Sequence, residues 1–387
     1  MPRIINEHKT LAISLLVIVS LIILKGIWVQ CATSNHGSVE NEKVEVERRM
    51  NYLIKMVVTT PERLLGEMPS GIGMQFQGEW ALYTCSMTAA ALVNIGLQYP
   101  MQKECAVENI AKIIEIALSP DIRRYDRMRW DEDPLDGYSD MNSHLSYLSH
   151  LAWMMGGYKQ LGGDDRYDKL YHEVCETMNR RILQSPNLNL PTYPDECIYV
   201  PDMLVAIVAL TNYSQMYQGK YDEVVRQWLT MAKSKWIDRE TGLLVSFLPN
   251  DDYLQNEEWP VKGSYSALNC YYLTFIDPAF AKEQYEKLKK TFLQKNPFMG
   301  IKEYYDRSCW LGMDIDAGPI IMNLSPSATA FALGCATFFH DTDVRNGILK
   351  TAEIAGSTVN CSGTSHYLLA NYALVGEAIM LAMRTTF

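Results

Sequence analysis

Residues 145–165 read LSYLSHLAWMMGGYKQLGGDD, and this stretch decides the fold class. Its apolar residues recur at intervals of three and four, a spacing that places side chains on one face of an α-helix. Two glycines and two aspartates at 162–165 then favour a turn. The stretch therefore predicts a helix that ends in a short turn. The apolar stripe consists of Leu145, Leu148, Leu151, Ala152, Met155 and Tyr158.

The same pattern of helix and turn repeats along the chain and predicts about twelve helices. Only residues 243–247 alternate well enough to predict a short strand. Prolines that follow a capping side chain mark three helix starts, at Thr60-Pro61, Asp277-Pro278 and Ser325-Pro326. The expected helices are 44–58, 77–97, 103–118, 138–161, 165–184, 200–218, 220–235, 264–275, 278–294, 326–340, 342–355 and 366–384.

Twelve helices in sequential pairs predict an all-α fold, an (α/α)6 toroid in which each pair supplies one inner and one outer helix. Such a barrel opens a pocket where the inner helices begin, and long loops carry the chemistry there. The loops long enough for this role are 119–137, 185–199, 248–263 and 295–324.

The composition excludes several classes of protein. Hydrophobic residues make up 48% and charged residues 21% of the chain, which is typical of a globular core rather than disorder. The net charge is -10 and no basic stripe is present, so we expect no nucleic-acid partner. None of the nine cysteines forms a CxxC pair, so no zinc site is expected. They are expected mainly as buried thiols, while export would allow disulfides.

The N-terminal residues form a hydrophobic segment that predicts export. Residues 11–24 are almost wholly apolar, Arg3 and Lys9 precede them, and Lys25 follows. Counted through Val29, the segment is about long enough to span a bilayer. We expect a signal anchor or signal peptide at 1–30, a polar linker at 31–43 and the barrel at 44–387, on the extracytoplasmic side of the membrane. In a competing interpretation, Cys31 is the lipidated residue of a lipoprotein.

Two segments place polar residues on predicted inner helices. Glu79 and Tyr83 are four apart and share a helix face, where an acid and a phenol suit proton transfer. In the structural alternative, Glu79 stabilises the first turn and Tyr83 packs in the core. His150 lies in the apolar stripe, where a core histidine is the usual outcome. His144 is six residues away from it, so a metal site built from both is not expected.

The loop 191–202 has the highest density of side chains that could take part in catalysis or binding. Tyr193 and Asp202 are candidate catalytic residues, and Asp195 and Cys197 are candidate substrate-binding residues. Asp202 directly precedes an apolar run, so its structural alternative is a helix N-cap. Further along the chain, Tyr265 begins a predicted helix.

Asp314-Ile315-Asp316 is the last segment along the chain with candidate functional side chains. It could bind a cation or cap a turn. Asp316 joins Tyr83 and Tyr265 as a candidate for substrate binding. No GxGxxG, P-loop, GxSxG, HExxH or kinase pattern is present, which argues against nucleotide and serine-hydrolase functions.

Four blocks resemble the linalool dehydratase/isomerase-like family: Ser146–Leu151, Gly163–Tyr167, Tyr193–Asp202 and Asp314–Pro319. The resemblance covers most of residues 50–384 and implies an (α/α)6 barrel with a cofactor-free lyase or isomerase activity. By its Ser-His-Leu context, His150 matches the histidine of the family.

The resemblance also places the family's site residues on this chain. Its pair of cysteines, nine apart, falls on Tyr193 and Asp202, so both are replaced here, and Cys197 is out of register. Its acidic residue and tyrosine correspond to Glu79 and Tyr83. An aspartate at 202 with Glu79 opposite suits acid/base chemistry on a more polar substrate.

Three functions therefore remain open. The first is a cofactor-free dehydratase or isomerase of a small alcohol, in which Asp202 or Glu79 protonates the leaving hydroxyl and His150 or Tyr193 takes a proton back. The second is a carbohydrate-active hydrolase, lyase or epimerase, with two carboxylates and aromatic platforms among Trp130, Trp259 and Trp310. The third is a non-catalytic surface binding protein, in which the acids only cap helices. The sequence leaves the oligomeric state open.

Overall fold

A computed structural model describes residues 20–21, 24–26, 39–65, 74–136, 142–249 and 261–387 of the chain. This part of the chain is mostly helical with a few short strands, which confirms the all-α prediction. Its α-helices are α1 (Val39–Leu53), α2 (Met74–Gln98), α3 (Lys103–Ala117), α4 (Pro120–Trp130), α5 (Leu145–Gln160), α6 (Asp168–Gln184), α7 (Val200–Met216), α8 (Asp222–Lys235), α9 (Gly263–Ile276), α10 (Pro278–Phe292), α11 (Pro326–Phe338), α12 (Thr342–Gly356) and α13 (Leu374–Arg384).

The strands form four small antiparallel pairs. Their bounds are β1 (Ile198–Tyr199) with β2 (Phe247–Leu248), β3 (Leu293–Gln294) with β4 (Gly300–Ile301), β5 (Leu311–Asp314) with β6 (Gly318–Ile321), and β7 (Thr358–Cys361) with β8 (Thr364–Tyr367). The pair β1–β2 joins two connections that are far apart in sequence.

Six helices contact one another in a cyclic order, and we call them the inner helices. The order is α2, α5, α7, α9, α11 and α13, and α13 returns to α2. The inner helices are buried almost all round, as α5 is from Leu145 to Tyr158. The helices α3, α6, α8, α10 and α12 each contact the inner helix that they follow, and α1 contacts α13. These outer helices bury one face, as α8 does through Val224, Trp228 and Ala232.

The two ends of the inner helices differ in their connections. Each inner helix from α2 to α11 is joined to the following outer helix by a short turn, and we call this the turn end. At the other end, which we call the loop end, the connections are 54–73, 118–144, 185–199, 236–262, 293–325 and 357–373. Because paired helices joined by a short turn run antiparallel, every inner helix begins at the loop end.

Two glycines allow close packing at the loop end. A Cβ at Gly78 of α2 would lie 2.7 Å from the Cβ of Tyr125, so the glycine lets α4 pack directly on α2. A Cβ at Gly263 would lie 1.9 Å from the carbonyl oxygen of Lys302. Only glycine therefore fits where the 293–325 connection crosses the start of α9.

Several predicted helix bounds were wrong. The loop expected at 119–137 contains α4, which begins with the Ser119 cap and Pro120. The helix expected from 138 begins at Leu145, because His144 has a left-handed φ of 48°. The helix expected from 366 begins at Leu374, after a β7–β8 hairpin whose Ser362-Gly363 turn has positive φ at both residues.

Smaller differences concern one strand, one cap and the start of α1. The strand expected at 243–247 lies at Phe247–Leu248, and Leu244 only bridges to Ile237. The side chains of Asp277 and Ser325 cap α10 and α11 as predicted. The Thr60 side chain does not cap the turn that follows it and instead donates to the carbonyl oxygens of Lys55 and Met56. The helix α1 begins at Val39, five residues early, and its Glu42 pairs with Arg384.

Most of the hydrophobic N-terminal segment lies outside the described residues, as does Cys31. Lys25, which follows the apolar run, donates a 3.0 Å hydrogen bond from Nζ to the carbonyl oxygen of Ile354, near the end of α12. Within the described residues, one helix is long and apolar enough to cross a membrane. That stretch is Gln77–Gln98 in α2, and it is mostly buried among other helices. The eight described cysteines are free thiols.

Candidate functional site

Two acidic residues lie at the beginnings of inner helices at the loop end. Glu79 is in the second turn of α2, and Asp202 is the third residue of α7. Asp202 does not cap its helix, since Tyr199 occupies the N-cap position, so the N-cap alternative is wrong. Its Oδ2 instead accepts a 2.7 Å hydrogen bond from the hydroxyl of Thr192.

The two carboxyl groups hold their protons unusually tightly. Burial and the charge of Asp202 raise the pKa of Glu79 to about 8. Burial also raises the pKa of Asp202 to about 7, with further contributions from Asp316 and Glu196, although the Thr192 hydrogen bond opposes the change. Near neutral pH, one such group can give a proton while the other accepts one. This behaviour is the opposite of that of a carboxylate that only caps a helix.

Three tyrosine hydroxyls surround these acids. Burial raises the pKa of Tyr83, Tyr193 and Tyr265 well above the ordinary value, with carboxylates adding to the effect. All three therefore remain protonated and can donate hydrogen bonds. The Tyr193 hydroxyl is buried beside Glu79 and Ser146, and within the described residues it forms no hydrogen bond of ordinary geometry. Its proximity to Glu79 lowers the pKa of that carboxyl and so opposes the effect of burial.

His150 of α5 lies beside Tyr83, with ring centroids 4.3 Å apart. The imidazole is fully buried, and neither ring nitrogen has a partner among the described residues. Burial lowers the pKa of His150 to about 3, so the ring is neutral. A histidine that serves the core usually has its nitrogens hydrogen-bonded. The geometry therefore gives no support to a satisfied core role.

Asp316 forms an ion pair with Lys262, whose ammonium also lies 5.4 Å from the centre of the Tyr265 ring. The Lys262 ammonium lies 2.8 Å from Asp316 Oδ2 and 2.9 Å from Asp314 Oδ2. Those carboxylates raise the pKa of Lys262, although burial opposes them. The Asp314-Ile315-Asp316 segment, which could have held a cation, thus holds the cation of this lysine.

Glu303 forms the buried side of the ion-pair cluster around Lys262. Its carboxylate accepts hydrogen bonds from the backbone N–H and the hydroxyl of Ser264, at 3.1 and 2.8 Å, at the start of α9. Burial raises the pKa of Glu303 to about 7. The sequence pattern did not single out Lys262 or Glu303, because nothing in the local sequence shows that the two connections meet.

Arg129 of α4 links the 185–199 connection to the site. Its guanidinium lies 2.8 Å from Glu196 and 4.0 Å above the centre of the Tyr193 ring. The contact holds the Tyr193 ring through a cation–π interaction. The sequence did not single out Arg129, because nothing in the local sequence shows that it meets the 185–199 connection.

Two candidates of the same connection are placed differently. Asp195 is exposed on a turn with a φ of 60°, and the structure does not bring it to the acids. Cys197 is buried, and burial raises the pKa of its thiol to about 11, so it stays protonated.

Of the three tryptophans expected as aromatic platforms, two lie within the described residues. The Trp130 ring lies 5.5 Å from the His144 ring, centroid to centroid, and Trp310 is exposed just before β5. Trp259 lies outside the described residues. Two open surface clefts, of about 440 and 760 Å³, lie at the turn end and contain none of the candidate residues.

A comparison with known protein families finds no family model that matches the chain. The resemblance to the linalool dehydratase/isomerase-like family therefore stays a prediction.

Proposed function

We propose that the chain is an (α/α)6 toroid that opens at the loop end. The cyclic contact order of the six inner helices, from α2 to α13 and back, supports a closed ring. The contrast between inner helices that are buried all round and outer helices that bury one face supports two concentric layers. In such a ring, Glu79 and Asp202 lie where a pocket forms.

Within this ring we infer a cofactor-free acid/base enzyme, a lyase or isomerase that dehydrates or isomerises a small alcohol. One observation carries the proposal: the pKa of Glu79 is raised to about 8 and that of Asp202 to about 7. Acid/base catalysts work best when their pKa values lie near the working pH. The resemblance to linalool dehydratase/isomerase agrees with this chemistry.

The proposed reaction consists of proton transfers. Glu79, protonated near neutral pH, gives its proton to the substrate hydroxyl, and the carbon–oxygen bond breaks to release water. Asp202, as the carboxylate, takes a proton from the neighbouring carbon, and a double bond forms. Re-addition of water at another carbon gives the isomer. Because Asp202 must be ionised and Glu79 protonated, we expect kcat/KM to be largest between about pH 7 and 8.

The surroundings favour an uncharged substrate. The hydroxyls of Tyr83, Tyr193 and Tyr265 can orient an oxygen atom by donating hydrogen bonds. Among the described residues at the site, the two cations are already engaged, Lys262 by two aspartates and Arg129 by Glu196. A phosphate or carboxylate group would meet the acids without a free positive partner.

A carbohydrate-active enzyme is the second candidate. It is favoured by the third carboxylate, Asp316, whose charge contributes to the raised pKa of Asp202. Paired carboxylates also serve glycoside hydrolysis, and sugars are uncharged alcohols. In the third interpretation, the site binds a ligand without turning it over.

We also propose that the hydrophobic segment within residues 1–30 anchors the chain in a membrane, with the helical domain on the extracytoplasmic side. The support is the apolar run itself, preceded by Arg3 and Lys9. In this arrangement Lys25, which contacts Ile354, marks the point where the anchor meets the domain.

The test is a ligand screen of the full chain in lipid nanodiscs, with thermal unfolding as the readout. A ligand that binds only the folded state raises its melting temperature. The library contains prenyl and terpene alcohols, with mono- and oligosaccharides as the second arm. Each hit is then incubated at pH 7.5 and its products are analysed by mass spectrometry.

A hit among the alcohols that yields an alkene or an isomer supports the proposal, provided that the Glu79→Gln/Asp202→Asn variant yields none. A shift with sugars alone, with cleavage or epimerisation, would replace the first candidate by the second. Binding without any product would leave a binding protein.

A further inference from the structure

The β5–β6 hairpin exposes a group of large apolar side chains. Leu311 is 78% exposed and Met313 is 76% exposed, and they alternate with Gly312 and Asp314, which face the protein. Trp310, just before β5, is 64% exposed. Soluble proteins seldom expose several large apolar residues side by side without a partner. The hairpin lies in the 293–325 connection and therefore belongs to the loop end.

A second apolar projection occurs at the same end. The short 3-10 helix Leu368–Asn371 lies in the connection that leads into α13. It exposes Leu368 and Leu369 by about half, and Tyr372 follows it with 73% exposure. Because it precedes an inner helix, this projection also belongs to the loop end.

The described N-terminal residues lie at the same end of the domain. Lys25 closes the apolar run and contacts Ile354 in the last turn of α12, which is an outer helix and ends at the loop end. Leu21 and Leu24, the described apolar residues that precede Lys25, are 60% and 62% exposed. The described end of the N-terminal apolar segment, at Leu24 and Lys25, therefore lies at the end of the domain where the two projections lie.

We propose that the loop end rests on a lipid bilayer, with the β5–β6 hairpin and the 368–372 segment dipping into the interface. Tryptophan and tyrosine beside leucines are the residues that settle at a membrane–water interface. The net charge of -10 disfavours attraction to anionic lipid, so the contact is apolar and suits a zwitterionic surface. A bilayer is favoured over a second copy because Lys25, at the end of the segment that we propose as the anchor, contacts the same end of the domain. The inference thus rests on the proposed anchor.

The hairpin that would contact the membrane also contacts the candidate site. Lys262 joins the hairpin to the site through Asp314 and Asp316, whereas Leu311 and Met313 are exposed on the other side of the strand pair. The membrane contact does not depend on the proposed reaction, and its test needs no turnover.

The test uses the full chain reconstituted in phosphatidylcholine vesicles with brominated acyl chains, which quench nearby tryptophan. The Trp310 signal is the difference between the wild type and Trp310→Phe. The matched control places a tryptophan at the turn end, by Met101→Trp in the Trp310→Phe background, where Met101 is 90% exposed. We expect the brominated lipid to remove most of the Trp310 emission and to leave that of the introduced tryptophan unchanged.

A second variant, Leu311→Asp/Met313→Asp, should restore the Trp310 emission without lowering the melting temperature, because both side chains are exposed. Equal quenching, or no quenching, at Trp310 and at position 101 overturns the proposal. So does a Trp310 that is shielded from aqueous acrylamide but insensitive to brominated lipid, since another protein surface, such as a second copy, would then cover the hairpin.

Discussion

The turn end and the loop end use the same residue types for opposite purposes. At the turn end, Asp277 and Asp341 each accept a backbone hydrogen bond at the start of an outer helix and pair with a lysine of the neighbouring outer helix, Lys233 and Lys289 respectively. These contacts outweigh burial and hold the pKa of both carboxyls below the ordinary value. At the loop end, no cation among the described residues pairs with Asp202, and burial raises its pKa to about 7.

The difference separates stability from chemistry. A carboxylate with a lowered pKa favours the folded state as soon as it is ionised, whereas a buried carboxyl with a raised pKa disfavours folding once it loses its proton. The loop end therefore carries groups that a stable fold alone would not select. Such groups cluster at functional sites.

The largest expected contrast is between Asp202→Asn and Asp341→Asn. The first keeps the acceptor for Thr192 but removes the proton acceptor of the proposed reaction, so turnover should fall about 10²- to 10⁴-fold. The melting temperature should stay within a few degrees. The second should leave turnover unchanged and lower the free energy of unfolding by about 1 kcal/mol or less. Turnover is measured on the substrate that the ligand screen identifies.

If Asp202→Asn kept its turnover and lost stability instead, Asp202 would be structural and the contrast between the ends would fail. If Asp341→Asn lost turnover while folded, the chemistry would not be confined to the loop end.

The second contrast is the pH dependence of stability. The raised pKa values of Glu79 and Asp202, about 8 and 7, mean that their contribution is present below pH 4 and is lost as the pH rises through 7 and 8. The lowered pKa values of Asp277 and Asp341 act in the other direction. Their contribution is present above about pH 4 and is lost in more acidic solution.

We therefore expect the free energy of unfolding to fall between pH 5 and 8.5 by an amount on the order of a few kcal/mol, since each pKa unit corresponds to about 1.4 kcal/mol. Urea denaturation across this range measures the slope. The Glu79→Gln/Asp202→Asn variant should show a smaller slope, with Glu303 as a remaining source. An unchanged slope in that variant would mean that both acids are ionised at pH 5 and solvated.

The sequence predicted those parts of the fold that depend on local patterns. The stripe from Leu145 to Tyr158 and the caps at Asp277 and Ser325 are written in neighbouring residues. The helix α4 shows the same Ser-Pro start at Ser119-Pro120, but its sequence has few apolar residues, so the apolar spacing did not predict a helix there. The β7–β8 hairpin was not predicted. It depends on the Ser362-Gly363 turn, in which both residues have positive φ.

The site was only half predictable for a related reason. Glu79, Asp202 and His150 stand out because polar residues interrupt apolar helices. The residues that contact the site, Thr192, Arg129 and Lys262, do not stand out in the sequence. They lie in or beside connections that come together only in the folded chain. Whether an acid caps a helix or faces a pocket depends on its position relative to the first turn, and single-residue errors in helix bounds reverse the answer.

The smallest expected contrast lies between two buried histidines, His150 and His144. The imidazole of His150 has two unpaired nitrogens among the described residues, whereas Nδ1 of His144 is hydrogen-bonded to the buried Asp126. Unpaired buried polar groups cost about 1–3 kcal/mol each. His150→Phe should therefore raise the free energy of unfolding by about 1 kcal/mol, after some loss from overpacking, while turnover falls.

His144→Phe should lower the free energy of unfolding by about 3 kcal/mol or more, because it leaves Asp126 buried without its partner. Urea denaturation at pH 7.5 measures both variants, and turnover is normalised to the folded fraction. A His150→Phe protein that is less stable but turns over normally would place His150 in the core and remove it from the site. A more stable protein with low turnover would mean that the fold gives up stability to keep beside Tyr83 an imidazole that no described residue pairs with, as a group kept for a ligand would require.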